Sequence, residues 1–190
     1  MQDFGKNDQE LAVLVQSGKV DFFDILFLHY EAKIKRYARK FIYDEDEIND
    51  AVSQIFTKAF INIKSFDAQR KFSSWLYRIA HNELVNLLKK KRHSFLPLFD
   101  LDVFLPRSYL NNKIEDNIDA KIAKEEVEKT LEKIEEKYRE PLYLNYIEEL
   151  PYKDISEIMK IPISTVGVRI ARAKKLMRNI LNSQYYGKLK

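Results

Sequence analysis

The sequence contains no cysteine and few residues that turn or break a chain. Its 190 residues include four glycines and five prolines. The absence of cysteine excludes disulfides, thiolate metal sites and a cysteine nucleophile. Because glycine and proline are the strongest local signals of turns, their scarcity favours long helices over short strands. The sequence therefore predicts an all-α fold.

The motifs of common catalytic and metal sites are also missing. His29, His81 and His93 are isolated, without the His-Glu-x-x-His spacing of a zinc site. There is no glycine-rich phosphate loop and no Gly-x-Ser-x-Gly elbow. We therefore predict that the protein is not an enzyme and that it has no catalytic residue, no metal ligand and no cofactor.

No stretch of the sequence is typical of a membrane protein or a secreted one. No run approaches the roughly 18 uninterrupted apolar residues that a membrane-spanning helix needs. The first residues lack a basic segment followed by an apolar run, so they do not resemble a secretory signal. The sequence predicts a cytoplasmic protein without membrane insertion.

Three apolar helix faces follow one another in the first half of the chain. Apolar residues recur at helical spacing over 22–41, 48–63 and 72–88. Asp44 precedes the second face with Glu47 three residues later, which is the pattern of a capping box. Since three amphipathic helices can bury a shared core, we expect residues 10–93 to form one domain.

The pattern changes after residue 93 and resumes later in the chain. Pro97 and Pro106 interrupt any helix in a segment that mixes aromatic and acidic residues. We predict an irregular linker over 94–118, which rests on another surface because of its bulky apolar content. Helical periodicity returns from Asp119, so a second small helical domain is expected over 119–184.

The second domain carries the pattern of a helix-turn-helix. A short apolar helix is followed by Pro162 and by Ser164, which we expect to be the N-cap of a longer basic helix. Five apolar residues should pack the two helices together: Ile155, Ile158, Ile163, Val166 and Ile170. The residues then expected on the outward side, for reading duplex DNA, are Ser164, Thr165, Val168, Arg169, Arg172 and Lys175. The alternative is that Arg169 and Arg172 form salt bridges with Glu148 or Glu157.

Positive charge is concentrated in two segments, although the net charge is only +4. Residues 164–190 carry seven Lys and Arg and no acid, and residues 64–92 carry eight against Asp67 and Glu83. This distribution predicts two contacts with polyanions, whereas the alternative is that each segment is a solvated helix face. Within residues 64–92, aromatic, amide and cationic side chains occur together, which suits binding of single-stranded DNA. Phe72 and Trp75 share the apolar stripe and are expected in the core, so Phe66 is the candidate for touching bases.

Four strings resemble the extracytoplasmic-function (ECF) subgroup of the sigma-70 family. They are Asp50-Ala-Val-Ser-Gln-Ile-Phe-Thr-Lys-Ala-Phe60, Phe72-Ser-Ser-Trp-Leu-Tyr-Arg-Ile-Ala-His-Asn82, Asp154-Ile-Ser-Glu-Ile-Met159 and Ser164-Thr-Val-Gly-Val-Arg-Ile-Ala-Arg-Ala-Lys-Lys-Leu176. Their order and spacing both match, and the resemblance covers about 20–182. It implies a sigma factor whose first domain binds and helps to open the −10 element and whose second domain binds the −35 element.

The resemblance also implies partners and residue roles. The partners are core RNA polymerase, through its β′ coiled coil and β flap, promoter DNA and an inhibitory anti-sigma factor. The linker would enter the polymerase near its catalytic cleft or RNA exit path. Polymerase binding falls to Asp50, Gln54 and Ile55. Binding and opening of the −10 element fall to Phe66, Arg70, Lys71, Arg78, Asn82, Asn86 and Lys89.

The chain departs from the family pattern at Ile55, Asn86 and Lys89 and at the pair Gly167-Val168, so the promoter sequence is not specified. Two other functions remain open from the residues alone: a free-standing helix-turn-helix regulator and a helical adaptor that binds only protein.

Overall fold

The computed structural model describes residues 6–91, 130–131 and 133–187. Every regular element in these ranges is a helix, which confirms the all-α prediction. The chain divides into two compact units, Met1–Pro97 and Leu98–Lys190. The linker predicted over 94–118 lies outside the described residues, as does the start of the second predicted domain. Among the residues described, no helix is both long and apolar enough to cross a membrane.

The described residues of the first unit form four α-helices and one short 3₁₀ turn. They are α1 (Asp8–Gln16), α2 (Phe22–Ala38), α3 (Glu45–Ile61), the 3₁₀ turn (Ile63–Ser65) and α4 (Phe72–Lys91). The three predicted apolar faces form α2, α3 and α4, which pack in sequence against one another. Their inward residues make up the core, which includes Leu26, Ile34, Ile48, Ile55, Leu76 and Leu84.

Helix α1 was not predicted from the sequence. It buries Leu11, Ala12 and Val15 against α2. Its beginning carries a full capping box, in which the Asn7 side chain accepts from the Glu10 amide and the Glu10 carboxylate accepts from the Asn7 amide. This pattern at Asn7 and Glu10 was the local signal that could have revealed the helix.

Local polar contacts fix the junction between α2 and α3. The Asp44 side chain accepts hydrogen bonds from the amides of Asp46 and Glu47, both at 3.0 Å, so the predicted cap at Asp44 is confirmed. Arg39 at the end of α2 donates to the Glu45 carboxylate through Nε at 3.0 Å. This hydrogen bond lowers the pKa of the exposed Glu45 carboxyl group.

The second unit contains a helix-turn-helix with a supporting helix. The described helices are α5 (Glu136–Tyr146), α6 (Tyr152–Met159) and α7 (Ile163–Gly187). Helix α7 packs against both α5 and α6. Pro141 lies inside α5 and does not end it. The buried apolar residues include Tyr143, Leu150, Ile155, Ile158, Val166 and Ile170.

The turn between α6 and α7 differs from the sequence prediction. Helix α6 ends at Met159 and is capped by Lys160, which adopts the left-handed conformation (φ 55°). The Ser156 hydroxyl donates to the Ile161 carbonyl at 2.6 Å. The Val166 amide donates to the Pro162 carbonyl, so α7 already begins at Ile163. Ser164 is therefore its second residue, and the prediction of Ser164 as N-cap was wrong. Ile163 was expected in the core, but it is 51% exposed because it lies at the open end of the helix.

Candidate nucleic-acid interface

Helix α7 presents a solvent-facing row of side chains at positions 164, 168, 171, 175 and 178, here termed the outward strip. Since residues three and four apart lie side by side on a helix, the row is continuous. Ser164, Lys175 and Arg178 are exposed, and Val168 and Ala171 between them are half-buried. The structure thus brings together three of the predicted DNA-reading residues, Ser164, Val168 and Lys175. Ala171 was not predicted as part of this surface.

Arg169 does not lie on the outward side of α7, and its predicted position was wrong. Its residue exposure is 7%, and it lies in the rows of the buried Val166, Ile170 and Ala173. The three-residue spacing to Arg172 does place the two arginines side by side, but on the flank of α7 turned towards the domain interior. A buried guanidinium there cannot reach a base edge without leaving its site.

Arg172 is tied to α5. Its Nη1 donates to the Tyr138 hydroxyl at 2.7 Å, and its Cζ lies 5.6 Å from the centroid of the Tyr138 ring. Thr165 is half-buried, seven residues earlier on the same flank. Arg172 therefore joins the recognition helix to the helix that supports it, which the sequence alone did not indicate because Tyr138 is distant in the chain.

The opposite flank of α7 contacts aromatic rings. The Lys174 ammonium lies 4.8 Å from the centroid of the Tyr146 ring. A Cβ atom added at Gly167 would meet the Tyr152 ring, with the nearest carbon at 3.6 Å. Gly167 lies within α7, at a position where the chain departs from the family pattern. The Tyr152 ring of α6 therefore lies beside a position of the recognition helix that has no side chain.

In the first unit, one face of α4 carries most of the polar residues predicted to bind the −10 element. Arg78, Asn82, Asn86 and Lys89 are spaced four, four and three residues apart, so they lie on one face. Asn86 and Lys89 are exposed, whereas Arg78 and Asn82 are half-buried. The Asn82 side chain donates from Nδ2 to the Arg78 carbonyl at 2.8 Å. Lys71 is exposed and Arg70 half-buried in the loop before the helix.

Phe66 is buried, so the expectation that it is free to touch bases was wrong. Its ring lies 5.6 Å from that of Phe72 and 5.5 Å from that of Trp75, and its exposure is 4%. Gln16 of α1 donates from Nε2 to the carbonyls of Ile63 and Phe66, each at 2.8 Å. These contacts fold the loop inwards and make Phe66 part of the core, together with Phe72 and Trp75 as expected for those two.

The residues predicted to bind polymerase divide between surface and core. Asp50 and Gln54 are exposed on one face of α3, four residues apart. Ile55 is fully buried, because it continues the inward row of Ile48 and Val52. The assignment of Ile55 to a binding surface was therefore wrong, and Ile55 is a core residue.

Within the described ranges, no group of three or more His, Cys, Asp or Glu side chains could hold a metal ion. The candidate binding surfaces are the outward strip of α7 and the polar face of α4. Both are basic, and each lies on a helix that packs against the core of its own unit. Their positive charge is compatible with a polyanionic partner.

The sequence matches two parts of one family. Residues 26–94 match "Sigma-70 region 2" and residues 124–177 match "Sigma-70, region 4". The ECF RNA polymerase sigma factor SigW of Bacillus subtilis is 31% identical over 173 residues, covering 88% of this chain and 92% of that protein. The RNA polymerase sigma-H factor of Pseudomonas aeruginosa is 31% identical over 187 residues, covering 93% and 94%.

Solved structures of the same fold are also similar. CnrH, in complex with the cytosolic domain of CnrY, superposes with a TM-score of 0.65 at 23% identity, covering 93% of this chain and 97% of that one. The sigma factor RpoE of Bartonella quintana, in complex with the anti-sigma factor NepR, gives 0.62 at 22% identity, covering 84% and 96%. At this identity the likeness concerns the fold.

A region 2 unit and a region 4 helix-turn-helix on one chain define a transcription initiation factor of the sigma-70 class. The chain belongs to the ECF sigma factors of this family. It recognises promoters for RNA polymerase, and its partners are the core enzyme and promoter DNA. Sigma factors are a family of non-enzymatic initiation factors. The match to region 2 decides against a free-standing helix-turn-helix regulator and against an adaptor that binds only protein.

Proposed function

We propose that the outward strip of α7 reads the −35 element, with Ser164 and Val168 at the base edges and Lys175 and Arg178 on phosphates. The observation that carries this assignment is the composition of the outward strip, whose N-terminal half is small and whose C-terminal half is cationic. In a helix-turn-helix the N-terminal residues of the second helix approach base edges, while later cations position the helix on the backbone. Arg169 and Arg172 support the helix instead of reading DNA.

The polar face of α4 is the proposed surface for the −10 element. Its exposed members, Asn86 and Lys89, combine an amide with a cation, and Lys71 adds a further cation at the start of the helix. Amides can pair with the free edges of unstacked bases, and cations follow the backbone of a single strand. Phe66 is not part of this surface, because its ring is in the core.

The exposed face of α3 is the proposed docking surface for core RNA polymerase. Asp50 and Gln54 lie on it, close in sequence to the acidic cap Asp44. The negative charge of Asp50 fits a basic partner surface, and charge complementarity of this kind chiefly sets the association rate and the choice of partner. The β′ coiled coil is the proposed partner of α3, and the β flap that of the second unit.

We also propose that an anti-sigma factor holds the protein inactive and that it acts in the cytoplasm, where core polymerase and promoters meet. Two structures of similar fold are complexes, one with the cytosolic domain of CnrY and one with the anti-sigma factor NepR. As an initiation factor, the protein is proposed to have no catalytic activity of its own. Co-purification of the tagged chain from its native cell tests for the inhibitory partner.

The assignment of the outward strip is tested with Lys175→Ala in holoenzyme assembled from the full chain and core polymerase. Loss of one phosphate contact should weaken promoter binding on every sequence and lower the slope of log K against log salt by about one. Lys133→Ala, at an exposed lysine of the same unit outside the strip, is the matched control. Promoter binding by Lys175→Ala that equals the control at every salt concentration would contradict the assignment.

A further inference from the structure

Tyr152 is the first residue of α6, and its ring lies against α7 at Gly167. A Cβ atom added at Gly167 would lie 3.6 Å from Cε2 and 4.0 Å from Cδ2 of the ring. Among the described residues, apart from the two chain neighbours of Gly167 and the backbone of α7, no other heavy atom comes within 4 Å of that position. The ring therefore occupies the space beside α7 that a side chain at position 167 would otherwise share.

This contact places Tyr152 at the edge of the outward strip. Gly167 comes three residues after Ser164 and four before Ala171, so it adjoins both on the helix surface. Its own row is the flank that faces α6, not the centre of the strip. A group on the flank of a helix in the major groove faces the sugar-phosphate backbone, whereas the centre of the strip faces the base edges.

The Tyr152 hydroxyl is available for an outside partner. The residue is 38% exposed, and among the described residues its hydroxyl has no hydrogen-bond partner. A phenol hydroxyl both donates and accepts hydrogen bonds, and tyrosine is one of the side chains that donate to DNA phosphates. Lys153, the next residue, is also exposed.

We propose that Tyr152 contacts promoter DNA, with its hydroxyl donating to a phosphate that borders the groove entered by α7. The ring lies directly beside the recognition helix at Gly167, where an added Cβ would already be in van der Waals contact with it. The inference rests on the proposed −35 function of the outward strip and adds to it a contact from the preceding helix.

The test is Tyr152→Phe, which removes only the hydroxyl. Promoter affinity of the holoenzyme is measured by fluorescence anisotropy at several salt concentrations. Loss of one hydrogen bond to an ionised phosphate predicts a roughly ten- to hundredfold weaker affinity. The salt slope should stay the same, because a neutral hydroxyl releases no counterion. Tyr43→Phe, at a tyrosine that is 87% exposed in the first unit, controls for removal of a surface hydroxyl and should leave affinity unchanged.

Further readouts separate a phosphate contact from other roles of the ring. The loss should be equal on promoters with intact and with altered −35 sequences, since a phosphate carries no sequence information. A loss confined to one sequence would overturn the phosphate assignment. Thermal unfolding of Tyr152→Phe should match that of the unsubstituted chain, and a lowered melting temperature would mean that the hydroxyl is structural.

Lys175→Ala in the same assay distinguishes failure of this inference from failure of the proposed function. If Lys175→Ala weakens binding and lowers the salt slope while Tyr152→Phe leaves affinity unchanged, the inference is overturned and the −35 assignment stands. If neither substitution affects binding, both are overturned. Weakening by Tyr152→Phe at constant slope, together with the Lys175→Ala effect, supports both.

Discussion

Phe66 illustrates how burial decides the role of a single side chain. Its ring packs edge-on against Phe72, and the loop that carries it is tied to Gln16 by two side-chain hydrogen bonds. Aromatic pairs of this geometry add about 0.5–1.5 kcal/mol to the free energy gained by burying the rings. A residue held in this way contributes to the stability of the first unit rather than to the capture of bases.

Phe66→Ala is accordingly expected to lower the free energy of unfolding of the first unit by roughly 3–5 kcal/mol, because it leaves a cavity in the core. Urea unfolding combined with hydrogen exchange of the α1 and α4 amides measures this loss. Lys64→Ala, two residues earlier and exposed, should change stability by less than about 0.5 kcal/mol. An unchanged stability of Phe66→Ala, with loss of promoter opening alone, would restore Phe66 as a base contact.

The sequence was informative for residues inside regular helices and misleading where long-range contacts decide. Phe72 and Trp75 were placed in the core by their helical spacing, and the structure agrees. Phe66 has no such period, and its burial depends on Gln16, 50 positions earlier. Arg169 lies within a periodic helix, but which flank of α7 is buried depends on where α5 packs.

Within helix α7, the effect of Gly167 depends both on its low helix propensity and on its contact with the Tyr152 ring. Glycine inside a helix costs about 0.8–1.0 kcal/mol relative to alanine. The position does not have a left-handed backbone, and an added Cβ would meet the Tyr152 ring at an ordinary contact distance of 3.6 Å. Alanine therefore fits without moving the ring.

We expect Gly167→Ala to stabilise the second unit by about 0.5–1 kcal/mol. Because the Tyr152 ring keeps its place, promoter affinity of the holoenzyme should stay within about twofold of the unsubstituted chain, a difference below 0.5 kcal/mol. Hydrogen exchange of the α7 amides and anisotropy with promoter DNA measure the two quantities. Greater stability with strongly reduced promoter affinity would mean instead that the backbone at Gly167 itself contacts DNA.

Helices of different length were predicted with different success. The apolar periods of α2, α3 and α4 extend over four turns or more, and these helices were found from the sequence. Helix α1 has only nine residues, so its period is short, and it was missed although Asn7 and Glu10 mark its beginning. The start of α7 was shifted because serine is a common N-cap, whereas here Pro162 supplies the first helical carbonyl.

At the scale of the whole molecule, periodicity and charge led only to two helical domains that bind a polyanion. These are properties of one chain, and they contain no information about a large protein partner. The polymerase and the separate −10 and −35 tasks came from four strings whose order and spacing resemble the ECF sigma factors. The promoter sequence is not specified by either route, because α7 departs from the family pattern at Gly167 and Val168.

The proposal that the first unit binds polymerase and the second binds the −35 element leads to a last prediction. Asp50→Lys reverses a charge on the exposed face of α3, so like charges would meet at the docking surface. Affinity for core polymerase should then fall by roughly tenfold, about 1.4 kcal/mol. This affinity is measured by surface plasmon resonance with the full chain immobilised and core enzyme in solution. Glu135→Lys, at an exposed acid of the second unit, makes the same change in net charge and should have little effect on binding of core enzyme.

Lys175→Ala should leave affinity for core enzyme unchanged and weaken only promoter binding. In the variant that combines Asp50→Lys with Lys175→Ala, the losses of binding free energy should add within about 0.5 kcal/mol, as expected for sites without shared partners. Strong non-additivity would mean that binding of polymerase by the first unit and binding of DNA by the second are coupled. In that case polymerase would control access of α7 to the promoter, and free sigma factor and holoenzyme should differ in how they present the outward strip.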